Sequence, residues 1–183
     1  MGLILGISGK ARSGKDTFGG ALKEAAVKYG LDVQLQSFAS KLKDIAKRDF
    51  FLTEEQVNGL EKEVYLERWK TTPRAIMQNL GAGYRAIYEN YWVDIVLDSF
   101  DMSSGKILVI TDCRFKNEFI GIQLKSGMVV RMERDASLRG EVTNPLHPSE
   151  TDLDHVSFER VIYNNSSILD LKKQAEQLLL DII

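Results

Sequence analysis

The sequence predicts an α/β fold in which helices flank a parallel five-stranded sheet. Three observations support this prediction. Residues 2–50 follow the order strand, helix, strand, helix, with which a parallel sheet typically begins. Residues 106–111 form an almost continuous apolar run, which is typical of a strand buried on both faces of such a sheet. A glycine-rich segment lies between the first strand and the first helix, which is where a phosphate-binding loop belongs.

Apolar periodicity defines the first half of the sheet. Residues 2–8 form a short apolar run, as expected of a buried strand, and residues 15–29 repeat apolar residues on one helical face. Residues 33–38 alternate apolar and polar side chains, which indicates a second strand. A second helix begins at Ser40, with apolar residues on one side and lysines on the other.

The middle of the chain interrupts this alternation. Residues 53–100 have a helical pattern, and Pro73 suits the first turn of a helix. The segment Gly81–Gly83 predicts a break in that pattern. We interpret the stretch as a helical insertion into the α/β core.

The second half of the chain returns to strands and helices. The apolar run at residues 106–111 is the third strand, and Asp112 and Arg114 lie at its carboxyl end, where open α/β sheets bind their ligands. The remaining predicted elements are a helix at 116–125, a strand at 128–132, a polar loop-rich stretch at 134–150, a strand at 160–163, and an amphipathic helix that Ser167 and Asp170 begin as a capping box.

Length and pattern together predict one domain over residues 1–183. Its core is expected at residues 1–50 and 104–183, its helical insertion at about 51–103, and a lid at about 134–150. A chain of 183 residues with 44% hydrophobic content is long enough to bury a substantial core.

Charge and cysteine content exclude several classes of protein. A net charge of −2 and a pI near 5.8 argue against a protein that coats nucleic acid or an anionic membrane. Cys113 is the single cysteine, so no internal disulfide can form, and with His147 and His155 it makes no zinc-ligand set of plausible spacing. No window is long and apolar enough for a membrane span. We expect a cytoplasmic protein.

The glycine-rich segment matches the pattern G-x-x-x-x-G-K-[ST] at three positions, Gly9, Gly14 and Lys15. In such a loop, backbone N–H groups and a helix N-terminus bind phosphate oxygens, and the lysine reaches the outer phosphates. Asp16 departs from the pattern, because Ser or Thr is expected there. Thr17 could supply the missing hydroxyl one residue later, or Asp16 could hold magnesium through a water or face the acceptor.

The cations beside these glycines strengthen the prediction. Lys10, Arg12 and Lys15 crowd around one tight turn, which is repulsive unless an anion neutralises them. A glycine-rich turn that only allows close packing would not require these charges. The sequence therefore predicts that the chain binds a nucleoside triphosphate.

Several segments carry a resemblance to a known family. They are the loop in its form Ser13–Thr17, the insertion segment Thr72–Gly81, and Thr111–Glu118 after the third strand. With them the chain resembles the bacteriophage-type deoxynucleoside monophosphate kinases. The resemblance extends through His147–Glu150 and Val161–Asn165, and so covers nearly the whole chain. It implies a P-loop kinase fold that transfers the γ-phosphate of ATP to a deoxynucleoside monophosphate with magnesium.

The phosphate-binding loop supplies most of the expected donor site. Lys15 is expected to bind the β- and γ-phosphates, and Arg12 either stabilises the transition state or binds donor phosphates. Arginines of the lid would close over the triphosphate and shield it from water. We expect ATP to be bound by Gly9, Lys10, Ser13, Gly14, Lys15, Asp16, Thr17 and Arg139, with transfer dependent on Lys15, Arg12, Asp16 and Arg134 and magnesium held by Thr17 and Asp16.

The expected acceptor site draws on both halves of the chain. An amide can pair with a base edge, arginines bind phosphates bidentately, and Trp92 could stack a base or belong to the core. The resemblance assigns Asp112, Arg114 and Glu118 to this site, although Glu118 could instead anchor the following helix. The acceptor-site candidates are Lys41, Arg74, Gln78, Arg85, Trp92, Asp112, Arg114 and Glu118. His147 and Glu150 lie in a segment that carries the family resemblance, but the sequence indicates no chemical role for either residue.

The predicted function is phosphorylation of deoxynucleoside monophosphates to diphosphates for DNA precursor synthesis. Its expected partners are MgATP and the deoxynucleotide, and we expect no stable binding to nucleic acid or to a membrane. A homodimer is compatible with the sequence. If the protein is viral, it is expected to work in the host cytoplasm. Two alternatives remain open. One is a kinase of a phosphorylated non-nucleotide acceptor, like the animal-type phosphomevalonate kinase, which has the same SGKD loop. The other is a nucleotide-binding regulatory module without turnover.

Overall fold

The computed structural model describes residues 2–140 and 145–183. It confirms the predicted α/β fold, because one parallel five-stranded sheet with the order β2-β3-β1-β4-β5 has helices packed against it. The strands are β1 (Leu3–Gly9), β2 (Val33–Gln36), β3 (Ile107–Cys113), β4 (Met128–Glu133) and β5 (Arg160–Tyr163).

Strand β1 lies in the middle of the sheet, where both of its faces are covered. Leu5 and Ile7 are fully buried in a core cluster with residues of helices α1 (Lys15–Lys28) and α9 (Ile168–Ile182). Gly6 points to the opposite face, since side chains alternate along a strand. A Cβ atom at Gly6 would lie 2.6 Å from Ile122 Cδ1 of helix α6 (Lys116–Leu124), so only a glycine admits that helix so closely.

The carboxyl ends of three neighbouring strands determine where ligands can bind. The pairings Ser8 with Cys113 and Gly9 with Met132 bring the ends of β3, β1 and β4 to the same edge of the sheet. Cys113, the last residue of β3, is itself buried. The glycine-rich segment therefore begins at this edge.

The chain divides into two compact units, which are Met1–Ser37 with Val96–Ile183 and Phe38–Ile95. The second unit starts earlier than the predicted insertion at about residue 51, because helix α2 (Ser40–Phe50) packs with the helices that follow it. The assignment of both units to one kinase domain stays a prediction.

The second unit is less regularly helical than predicted. After α2 it contains α3 (Glu54–Val57), a 3-10 turn (Glu61–Glu63), α4 (Pro73–Ile87) and the start of α5 (Tyr91–Leu97). Thr72 caps α4 by accepting a hydrogen bond from the Ala75 N–H, and Pro73 occupies its first turn as predicted.

The predicted break at Gly81–Gly83 is wrong, because α4 continues through both glycines. A Cβ atom at Gly81 would lie 3.1 Å from Leu42 Cδ1 of α2. The absence of a side chain therefore lets α2 and α4 pack closely. That gain in packing outweighs the roughly 1 kcal/mol by which glycine disfavours a helix.

The polar stretch after β4 includes two short helices, α7 (Ala136–Arg139) and α8 (Pro148–Thr151). Residues 141–144 of the predicted lid lie outside the described residues, and the assignment of a lid at 134–150 stays a prediction. No helix within the described ranges is long and apolar enough to span a membrane.

Candidate active site

The loop between β1 and α1 has an unusual backbone that its sequence makes possible. Gly9 and Gly14 have φ values of 148° and 98°, and Arg12 has a φ of 61°. Glycine adopts such angles at little cost, whereas a non-glycine residue there is uncommon. A Cβ atom at Gly9 would lie 2.6 Å from the Met132 carbonyl oxygen of β4. The loop is therefore a tight turn that only glycine at this position allows.

Lys15, the first residue of α1, turns back into this loop. Its Nζ donates hydrogen bonds to the Gly9 carbonyl at 2.6 Å and to the Lys10 carbonyl at 2.8 Å. Burial, followed by the positive charge of Arg114, lowers the pKa of Lys15 from 10.5 to about 8. A buried cation bound only to neutral carbonyls is under-compensated, so an anion placed beside it would be strongly favoured.

The lowered pKa of Lys15 predicts a specific pH dependence of stability. The unfolded chain, with a lysine pKa of 10.5, binds more protons than the folded one between pH 8 and 10.5. Wild-type stability should therefore rise with pH across this window by up to about 3 kcal/mol relative to a Lys15→Met variant. Denaturant unfolding of both proteins at pH 7.5, 9 and 10 measures the difference, in which all other titrating groups cancel.

Lys23, an exposed residue of the same helix, provides the control for this measurement. Its substitution by methionine should leave the stability difference from wild type constant with pH. Parallel pH profiles for wild type and Lys15→Met would contradict the lowered pKa of Lys15.

Asn164, which follows β5, holds the loop in place. Its Nδ2 donates a hydrogen bond to the Ser13 carbonyl at 2.9 Å. A Cβ atom at Gly14 would lie only 2.3 Å from the same nitrogen. The sequence indicated that Asn164 belongs to the segment that caps the last helix, and it predicted no contact between Asn164 and the loop.

The cations of the loop are only partly neutralised by the protein. Lys10 Nζ contacts the Asp154 carboxylate at 2.5 Å and the Glu150 carbonyl at 2.6 Å. The repulsion predicted among Lys10, Arg12 and Lys15 is therefore relieved in part by Asp154, 144 residues away along the chain. No local pattern indicates this partner.

Three buried donors near the loop and after β4 have unused hydrogen-bonding capacity. Within residues 2–140 and 145–183, the buried side-chain atoms without a hydrogen-bond partner are Ser13 Oγ, Arg134 Nε and Arg139 Nε. Burying such groups unpaired costs about 1–3 kcal/mol each, and more for charged groups. All three can donate to an anion, as expected of the predicted donor site.

A cavity of about 270 Å³ lies next to the loop, within the first unit. A Cβ atom at Gly140 would lie 3.2 Å from Arg12 Nη1, so the Arg12 guanidinium reaches the end of α7. The cavity is lined by Lys10, Ala136, Arg139, Gly140, Pro145 and Glu150. Its lining carries two cations and one carboxylate, and it lies beside the residue that follows the end of β1.

The turn after β3 orients Arg114. Glu118 Oε2 accepts hydrogen bonds from the backbone N–H groups of Arg114 at 2.7 Å and Phe115 at 3.1 Å. Glu118 is 5% exposed and thus anchors the start of α6, the structural alternative considered for it, so we leave it out of the proposed acceptor site. Arg114 Nη1 donates to Glu150 Oε1 at 2.5 Å, and Asp112 is half-buried at the end of β3.

The residues predicted to hold magnesium lie in the first turn of α1. Asp16 and Thr17 are both exposed there, directly after Lys15. Among the described residues, no three Asp, Glu, His or Cys side chains group as a metal site.

The remaining acceptor-site candidates all lie in the second unit. Arg74, Gln78 and Arg85 share α4, and their spacings of four and seven residues put them on one face of a continuous helix. Arg74 is paired with Glu63, and Lys41 is exposed on α2.

Trp92 has the environment of a core residue. It is 3% exposed, packs against Tyr84 and Tyr91, and donates its indole N–H to the Gly81 carbonyl at 3.2 Å. A buried ring with a satisfied N–H offers no face to a base. We therefore leave Trp92 out of the proposed acceptor site.

Sequence reasoning missed an aromatic pocket within the second unit. Phe51 and Tyr65 are 66% and 55% exposed and line a concavity of about 270 Å³ together with Trp69. The Arg68 guanidinium carbon lies 4.9 Å from the Phe51 ring centroid and 4.8 Å from that of Trp69.

The sheet order, the Lys15 loop and the surrounding arginines define a P-loop kinase. Two solved structures share this fold over nearly their whole length. The APS kinase of Mycobacterium tuberculosis superposes with a TM-score of 0.52 at 10% identity, covering 98% of both chains. The shikimate kinase of Acinetobacter baumannii gives a TM-score of 0.52 at 14% identity, covering 98% of this chain and 93% of its own.

The chain belongs to the deoxynucleotide monophosphate kinase family, whose model matches residues 34–175. It is also 28% identical, over 94% of its length and 93% of the relative's, to a candidate deoxynucleotide monophosphate kinase of Acanthamoeba polyphaga mimivirus. The protein is thus an ATP-dependent kinase that phosphorylates deoxynucleoside monophosphates. The family match begins after the phosphate-binding loop, so the loop is an independent observation.

Proposed function

We propose that the triphosphate of ATP binds in the loop between β1 and α1, with Lys15 against its outer phosphates. The observation that carries this proposal is the set of buried, unpartnered donors at Ser13, Arg134 and Arg139. An anion that accepts a hydrogen bond from one of these donors removes the desolvation cost of that donor. The lowered pKa of Lys15 supports the same position, because a phosphate beside the lysine would stabilise its charged form.

Transfer of the γ-phosphate requires positioning and cations more than covalent chemistry. In this proposal Arg12, Arg134 and Arg139 stabilise the negative charge of the moving group and exclude water from it. Asp16 and Thr17 would hold magnesium together with the phosphates, directly or through water. When bound, the ion would neutralise phosphate oxygens and fix their geometry.

The acceptor phosphate is proposed to bind Arg114, with Asp112 beside it. Arg114 is 30% exposed at its side chain, and its guanidinium lies near enough to Lys15 to lower the pKa of that lysine. In the second unit, Lys41, Arg74, Gln78 and Arg85 stay proposed acceptor contacts.

A substrate panel tests this function. Purified protein is incubated with MgATP and each of dGMP, dTMP, dCMP, dAMP, their ribose counterparts and phosphomevalonate, and ADP formation is measured. We expect turnover on deoxynucleotides and its loss when EDTA removes magnesium.

Two outcomes would contradict the proposal. Reaction with phosphomevalonate alone would assign a non-nucleotide acceptor, which the family match disfavours. ATP binding without transfer to any acceptor would indicate a regulatory module. The presence of Lys15 and of the proposed acceptor-side residues Asp112 and Arg114 supports turnover instead.

A further inference from the structure

Glu150 connects the phosphate-binding loop with the end of β3. Its Oε2 accepts a hydrogen bond from the Ala11 backbone N–H at 2.6 Å, and its Oε1 accepts one from Arg114 Nη1 at 2.5 Å. The Glu150 side chain is only 8% exposed. Both oxygens of one buried carboxylate are thus committed to two separate elements of the site.

The backbone around Glu150 is held independently of its carboxylate. Lys10 Nζ donates to the Glu150 carbonyl at 2.6 Å and contacts the Asp154 carboxylate at 2.5 Å. Arg131 Nη2 lies 3.5 Å from Asp154 Oδ1, and the Lys116 N–H donates to Asp152 Oδ2 at 2.7 Å. The segment therefore stays attached to the sheet edge when the Glu150 side chain is altered.

The two groups that Glu150 binds belong to opposite sides of the proposed reaction. The Ala11 N–H lies in the loop that binds the donor phosphates, and Arg114 is the proposed ligand of the acceptor phosphate. A guanidinium on a flexible side chain has many orientations, and fixing one of them costs conformational entropy. A charge-assisted hydrogen bond from a buried carboxylate selects one orientation before the acceptor arrives.

We propose that Glu150 is a positioning residue for phosphoryl transfer, which holds the Arg114 guanidinium at a fixed distance from the phosphate-binding loop. This inference rests on the proposed acceptor role of Arg114. Glu150 itself does not react, since a phosphate acceptor is already ionised at neutral pH and needs no general base. In the opposite role, the Glu150 carboxylate would occupy the position of a substrate phosphate and would have to move away before the substrate binds. Removing its charge would then increase activity instead of lowering it.

The test is Glu150→Gln, which keeps the shape and removes the charge. The amide can present its oxygen to only one of the two donors. Losing one charged hydrogen bond of about 1.5–3 kcal/mol should lower kcat/KM for the deoxynucleotide by about ten- to a hundredfold. The KM for ATP should stay close to wild type, and the lost hydrogen bond should lower the melting temperature by about 10 °C at most.

Two further variants separate positioning from a general structural effect. Glu159→Gln makes the same charge change at an exposed position of the following segment. It should leave the KM for ATP and the kcat/KM for the deoxynucleotide unchanged. In an Arg114→Ala background, Glu150→Gln should lower kcat/KM for the acceptor by no more than about threefold, because its main effect passes through Arg114.

The outcomes distinguish this inference from the proposed function. An inactive wild-type protein would overturn both. An active wild type with an unchanged Glu150→Gln variant would overturn the positioning role alone. Tighter ATP binding or faster ATP hydrolysis in Glu150→Gln would also overturn the positioning role, because it would indicate that the carboxylate occupies the phosphate position. A parallel loss of melting temperature and of affinity for both substrates would overturn it as well, because it would indicate a structural role.

Discussion

Replacing Lys15 with alanine should lower kcat with MgATP and a deoxynucleotide by about a thousandfold or more. One preorganised donor aimed at developing charge contributes about a hundred- to a thousandfold, and Lys15 carries a full charge in a buried position. The variant should fold, because the substitution removes a buried cation whose pKa the protein already depresses. Steady-state ADP formation across several ATP concentrations measures the effect.

Lys23→Ala on the exposed side of the same helix is the matched control and should keep wild-type turnover. Circular dichroism of both variants checks that the fold is intact. A fully active Lys15→Ala enzyme would refute the assignment of this loop to phosphate binding.

The second large effect is expected at Arg114. Its substitution by alanine should lower kcat/KM for the deoxynucleotide by about a hundredfold, since a charged hydrogen bond to a phosphate is worth about 1.5–3 kcal/mol and a guanidinium can form two. ATP binding, measured by calorimetry without acceptor, should change little. A rise in acceptor KM with unchanged ATP affinity therefore identifies the side of the reaction on which Arg114 acts.

Arg160→Ala provides the comparison for this variant. Arg160 of β5 forms an exposed ion pair with Asp181 of α9, and such pairs contribute about 0–1 kcal/mol to stability. It should leave both kinetic constants unchanged. If Arg114→Ala also left the acceptor constants unchanged, the proposed position of the acceptor phosphate would be wrong.

The sheet could be predicted from the sequence because strands in a buried parallel sheet have a local signature. The predicted strand at 160–163 coincides with Arg160–Tyr163, and the predicted strand at 128–132 lies within Met128–Glu133. The wrong break at Gly81–Gly83 has a different origin. Local propensity disfavours glycine in a helix, but Leu42 packs against the bare Cα of Gly81, and this tertiary contact is invisible in the local sequence.

The site divides in the same way. Gly14 and Lys15 belong to one contiguous motif, so spacing alone predicted their place at the start of α1. Glu150 and Asn164 contact the loop across sequence separations of 139 and 151 residues. No local sequence pattern indicates which loop residue either of them contacts. Trp92 is a residue for which the sequence left two roles open, because its identity alone does not show whether an aromatic side chain faces a ligand or packs in the core.

The contact between Asn164 and the loop has a consequence for how the enzyme uses binding energy. Protein contacts alone hold the Ser13 carbonyl and leave no room for a side chain at Gly14. Ordering the backbone of one residue costs about 1–2 kcal/mol, and here that cost falls on the folding of the chain rather than on each catalytic cycle. A nucleotide bound at the proposed position would therefore meet a loop whose backbone is already ordered at Ser13, and more of its interaction energy would remain to lower the barrier of the reaction.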